Sequence, residues 1–188
     1  MAIPSPEATT MTLLAILSLS LLLLPNALAL PNVTAIPAGP GDCSAYPNFY
    51  GTNGRTSDAF IFLPSQADNP SVNNLKTSIL NNTLVVLNDP SADPTIFCCI
   101  APNIFDGWAE RTLLLEGDRR MRYTSQGVTP ELYVHEIEGV KQEGVFLGSE
   151  GVTRWVFGEI EGGWGVRLDG DGVVNEGEFK GFLRAELP

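Results

Sequence analysis

The sequence predicts a mainly β fold, an antiparallel sandwich or small barrel with a β-trefoil as a compatible variant. Three observations carry this reading. From residue 83 onward, short runs of Val, Ile, Leu, Phe and Trp alternate with clusters of Gly, Asp, Asn and Pro. The clusters have the chemistry of tight turns, which join antiparallel neighbours. None of the gaps between runs has room for the helical crossover that parallel strands require.

The elements follow in chain order. Residues 1–29 read as an export signal and 30–41 as a leader arm, within a stretch at 30–58 rich in Pro, Gly, Asn and Ser, with one β-rich domain at 42–188. The run 60–63 (FIFL) reads as a strand that Pro64 ends. Asn69-Pro70 looks like a helix start, and Val72, Leu75, Ile79 and Leu80 follow at helical spacing, so one short helix is expected near 70–80. Strands are then expected at 83–87, 95–100, 111–115, 120–124, 131–137, 144–147, 152–160 and 163–168. Between them lie turn sequences such as Asn88-Asp89-Pro90, Glu116-Gly117-Asp118 and Asp169 to Gly172. The segments LVVLND, LLLEGD, VFLGSEG and VRLDGDG rhyme at uneven spacing, which suits repeated hairpins better than a solenoid. At the end, Phe179, Phe182, Leu183 and Leu187 fall on one helical face, so a C-terminal helix is expected within 175–187. Gly177 and Gly181 weaken it.

The leader carries the prediction of location. Residues 11–24 (MTLLAILSLSLLLL) form an apolar run shorter than the roughly 20 residues a bilayer crossing takes. Pro25 ends it, and Ala27-Leu28-Ala29 has the small residues of a signal-peptidase site, so cleavage after Ala29 is expected. The segment before the run departs from the usual pattern, with Glu7 and no Lys or Arg; a start at Met11 removes the acid without adding a base. The sequons Asn32-Val33-Thr34 and Asn81-Asn82-Thr83 make Asn32 and Asn81 candidate glycan carriers. A secreted, extracellular protein is expected, with the cell wall as one destination and no membrane span in the mature form. The formal net charge of -11, with no basic block, excludes nucleic acid as a natural partner.

Three cysteines in an oxidising compartment leave one unpaired. The expected bridge joins Cys43 to Cys98 or Cys99, because adjacent strand residues face opposite ways and only one of them meets Cys43.

Four groups of residues are candidates for chemistry. Asp169, Asp171 and Glu178 fall at the spacing of a calcium-binding loop around Gly172. Arg167 occupies the first-ligand position, and no helix precedes the loop. Calcium is the one cofactor considered, against the simpler reading of a hairpin turn. Glu136-Ile137-Glu138-Gly139 recurs as Glu159-Ile160-Glu161-Gly162; were the two strands neighbours, four carboxylates would gather as in a glycoside hydrolase. The simpler reading is a solvated face over an apolar one. His135 is the only histidine and has no catalytic motif beside it. Trp155 and Trp164, with Trp108, are candidates for stacking on sugar rings, against a role in the core.

A leader, a Cys near the mature start and successive strand-turn units such as VFLG at 145–148 resemble small secreted proteins of filamentous fungi. The resemblance implies a cell-wall-associated, antigenic or effector-like role and assigns no functional residues. The expected function is therefore that of a non-enzymatic extracellular structural or interaction protein, touching a glycan or protein partner. The alternatives are a small glycan-active hydrolase using the paired glutamates and a calcium-stabilised module.

Overall fold

Short segments that bury alternate side chains form pleated strands, because residues i and i+2 share a face. The computed structural model describes residues 30–39, 41–47, 55–107 and 111–188. Its strands are β1 (Thr34–Pro37), β2 (Ile61–Ser65), β3 (Thr77–Leu80), β4 (Thr83–Leu87), β5 (Phe97–Ile100), β6 (Asn103–Asp106), β7 (Thr112–Leu115), β8 (Met121–Tyr123), β9 (Glu131–Ile137), β10 (Val140–Lys141), β11 (Val145–Gly148), β12 (Arg154–Ile160), β13 (Gly163–Leu168) and β14 (Phe179–Glu186). Every strand pairing is antiparallel. The fold is mainly β, a single curled antiparallel sheet with no α-helix among the described residues.

β14 is the hub. It pairs with β2 over Phe182 to Glu186, with β11 at Arg184 and Ala185, and with β12 over Phe179 to Phe182. From β11 the sheet continues to β9 and β1; from β12 it continues through β13, β4, β8, β7 and β6 to β5. The curl brings β5 back toward β2. Phe60, just ahead of β2, and Phe97 of β5 exchange two backbone bonds of 2.9 Å, so the margins of the curl are bridged.

The concave side holds the core. Phe60, Phe62, Phe97, Trp155, Phe157 and Leu183 are fully buried there, and burial of each contributes roughly 1.5–3 kcal/mol. The indole N–H of Trp155 donates to the carbonyl of Leu147 at 2.9 Å, so its one polar atom is satisfied. A second apolar cluster is built from β9, β11 and β14. The His135 ring stacks on Phe146 with centroids 3.8 Å apart, and Phe182 meets it edge-on at 4.6 Å.

Both expected helices are absent. Asn69 does cap a turn, but the 3-10 helix spans only Pro70–Val72. Asn74 takes a left-handed φ of 63°, which stops propagation, and Thr77–Leu80 becomes β3. The cause lies just beyond. Asn81 and Asn82 both adopt left-handed φ and make a two-residue hairpin loop that pairs β3 with β4. The C-terminal segment is β14, not a helix. A strand hydrogen-bonded along both edges and buried on both faces has no polar alternation, so its apolar spacing imitates a helix. Leu187, expected on the buried face, is exposed. Two smaller differences accompany these. Pro64 lies inside β2, opposite Leu183, and does not end it. The arm contributes β1, which pairs with β9 from Thr34↔Glu136 to Pro37↔Tyr133.

Candidate functional site

The acidic turn after β13 is an ion-pair network. The Asp169 carboxylate is fully buried, with Lys180 Nζ at 2.8 Å and Arg154 Nε at 3.6 Å, and it accepts the Gly172 amide at 3.0 Å. Glu178 accepts from Arg167 at 2.8 Å and from the amide and side chain of Asn175 at 2.9 Å. The Arg167 bond holds the Glu178 carboxyl below its ordinary range. Asp171 accepts the Val173 amide at 3.0 Å, and that bond is the chief cause holding its carboxyl low. Asp169, Asp171 and Glu178 thus each face a basic side chain instead of converging on one point. Among the described residues no group of three or more His, Cys, Asp or Glu side chains is placed to hold a metal.

The two glutamate copies do not gather. β9 is antiparallel to β11, β11 to β14 and β14 to β12, so β9 and β12 run in opposite senses. Their C-terminal ends, which carry Glu136 and Glu138 on one strand and Glu159 and Glu161 on the other, lie at opposite ends of the sheet. The repeated sequence is a strand end followed by a turn. Ile137 pairs with Val140 across the loop Glu138-Gly139, where Glu138 has φ 51°, and Ile160 pairs with Gly163 across Glu161-Gly162. The second glutamate of each copy therefore sits in a hairpin loop, not on the strand face expected for it.

Trp155, a stacking candidate in the sequence, is fully buried and offers no face to a sugar. Trp164 is partly buried and packs against the core. Trp108 lies outside the described residues. His135 is buried, and its Nε2 lies 2.8 Å from Thr153 Oγ1. Burial lowers its pKa to about 4, so the ring is neutral near pH 7. The disulfide joins Cys43 to Cys99 and leaves Cys98 as the free thiol, half-buried. Burial, with Asp106 and Asp58 nearby, pushes that thiol above its ordinary range. Asn32 and Asn81 are both exposed. The expected signal at 1–29 lies outside the described residues.

One concavity has no counterpart in the sequence reading. A cavity of about 110 Å³ lies between the turn after β1, the β5–β6 hairpin and the start of β9. Its polar lining is Asp42, Tyr46, Thr129 and Glu131, and Pro37, Pro102 and Pro130 form its walls. Glu131 accepts the Tyr133 hydroxyl at 2.5 Å, and that oxygen in turn accepts the Gly151 amide at 2.9 Å. Burial and the bond to Glu131 push the Tyr133 phenol up to about 12. Burial, then the charge of Glu131, also raises Tyr46. Asp42 is held low by the hydroxyl and amide of Ser44, at 2.5 and 2.8 Å. The disulfide anchors two of the walls. Cys43 follows Asp42 directly, and Cys99 stands just before the Ala101-Pro102 turn. These residues come from three distant segments, so no local motif announces them. No protein-family model matches the chain, and no curated protein matches it in sequence.

Proposed function

We propose that the protein is an extracellular structural or interaction protein that works by contact with a glycan or protein partner and not by catalysis. The observation supporting this reading is the buried Cys43–Cys99 disulfide. Such bridges persist in oxidising compartments and are rare in the cytosol. The apolar leader at 11–24 and the exposed sequon residues Asn32 and Asn81 agree with export and with N-glycosylation. The curled sheet is read as a small barrel, since the Phe60–Phe97 bridge joins its margins. The glutamate-pair hydrolase has less support, because its carboxylates stand at opposite ends of the sheet. The test is expression of the full chain in a secretory host. Protein in the medium is expected to begin at Leu30 and to lose mass on enzymatic removal of N-glycans. Recovery from the cytosol with the leader attached and Cys43 and Cys99 reduced refutes export. Glycan and protein arrays then test the interaction role, and a complete lack of ligands counts against it.

A further inference from the structure

We propose that the first sugar of a glycan on Asn81 is a structural part of the β3–β4 hairpin, lying over the Leu80 side chain and stabilising the fold. The inference rests on the export reading and gives the modification expected there a physical role.

The turn comes first. Leu80 and Thr83 pair across a two-residue loop, and Asn81 and Asn82 hold φ of 50° and 63°. These are the left-handed angles of a tight hairpin turn, which asparagine adopts more readily than most side chains. The sequon Asn81-Asn82-Thr83 is therefore the turn itself and the first residue of β4. Its other two side chains are engaged. Asn82 Oδ1 accepts from Arg111 Nη1 at 3.1 Å, and Thr83 Oγ1 accepts from Arg122 Nε at 3.2 Å. The Tyr123 amide donates to the Asn82 carbonyl at 2.9 Å, which ties the turn to β8. Asn81 stands exposed on a loop that is already fixed.

The residue just before it supplies the contact. Ile79 packs against the core and Leu84 is fully buried, so the opposite face of the hairpin carries Leu80 and Thr83. Leu80 is 46% exposed there. Attachment replaces one N–H of the Asn81 amide by a bond to C1 of N-acetylglucosamine. The donor is a lipid diphosphate-linked oligosaccharide of the secretory pathway; its diphosphate departs and the amide proton goes to solvent. A pyranose ring has C–H groups on its faces. Laying one of them on Leu80 removes apolar surface from water on both partners. The covalent tether is one residue long, so the contact is intramolecular and no translational freedom is lost in making it. Asn32 is the contrast. It is exposed too, but Pro31 and Val33 on either side are half-buried, so a sugar there has no exposed large hydrophobic residue next to it.

The test compares one-sugar and bare protein. The full chain carrying Asn32→Gln is secreted from a host that makes high-mannose glycans. Endoglycosidase H then leaves a single N-acetylglucosamine on Asn81. The bare counterpart is the same chain directed to a bacterial periplasm, an oxidising compartment whose host adds no N-glycan. Peptide mapping is expected to find Asn81 occupied in the secreted form. The one-sugar protein is expected to melt about 2–4 °C above the bare one, and Leu80→Thr in both forms is expected to remove most of that gap. The gap is read within each background, so any cost of Leu80→Thr itself cancels. Nuclear Overhauser contacts from the sugar ring protons to the Leu80 methyls are expected as well. A secreted chain with Asn81 bare, equal midpoints, a gap that survives Leu80→Thr, or missing Overhauser contacts each overturns the proposal. Recovery from the cytosol with the leader attached overturns the export reading and this proposal with it, whereas the other outcomes leave export standing.

Discussion

Acidification from pH 7 to 5 tests the cluster around His135. The ring is stacked on Phe146, faces Phe182 and bonds Thr153, with almost no access to water. Its pKa falls from 6.5 to about 4 because burial penalises the charged form. The unfolded chain therefore binds a proton that the folded chain refuses. The stabilisation is fully present above pH 6.5 and is lost progressively as pH falls toward 4. Over that window the slope approaches 1.4 kcal/mol per pH unit, and the loss between pH 7 and 5 comes to about 2 kcal/mol. Asp42, Asp89, Asp171 and Glu178 are held below their ordinary values, so the stability they contribute is lost mainly below pH 5, outside the comparison of pH 7 with pH 5. Urea unfolding at pH 7, 6 and 5 reads the stability directly. The chain has a single histidine, so one imidazole C2–H resonance reads the titration. That resonance is expected to stay still down to pH 5. His135→Phe, which keeps the stack, is expected to flatten the stability profile. A midpoint near 6.5, or equal stability at pH 7 and 5, refutes the reasoning.

Other outcomes follow from the same structure. Cys99→Ser removes a bridge between residues 56 apart in sequence and is expected to cost about 4 kcal/mol by chain entropy, whereas Cys98→Ser leaves the thermal midpoint unchanged. Lys180→Met strips the closest cation from the buried Asp169 carboxylate and is expected to cost about 3 kcal/mol in urea unfolding. Asp169→Asn in the same background is expected to recover part of that loss. Trp155→Ala opens the core and is expected to cost about 3–5 kcal/mol or to prevent folding; a loss below 1 kcal/mol would contradict its placement. Chelation by EDTA is expected to leave the thermal midpoint unchanged, because Arg and Lys face the turn carboxylates.

The strands expected at 83–87, 131–137 and 163–168 have those bounds in the structure. Each is cut sharply at one or both ends by a hairpin loop: Asn81-Asn82, Glu138-Gly139 or Glu161-Gly162. Turn chemistry is local, so a sequence states it clearly. β14 was misread for the opposite reason. Phe182 packs on His135 and Phe146 while Leu183 and Ala185 belong to the main core, so both faces are apolar and the alternation that marks a half-buried strand is lost. The EIEG repeat misled because it was a turn signature read as a strand face. Strand alternation correctly limited Cys43 to one of two partners. The choice of Cys99 follows from its sharing a face with Phe97, which points into the core. Asp42, Tyr46 and Glu131 are brought to one cavity by the long-range pairing of β1 with β9, so no local spacing could foretell it.

The Cys43–Cys99 bond spans the two extremities of the sheet path, since Cys43 lies just beyond β1 and Cys99 is in β5. A protease that makes one cut anywhere between those residues leaves both pieces covalently joined. The nicked molecule still migrates as one species on a non-reducing gel and separates only after thiol treatment. A single nick in that stretch is thereby a tolerated scar and not the loss of half the molecule.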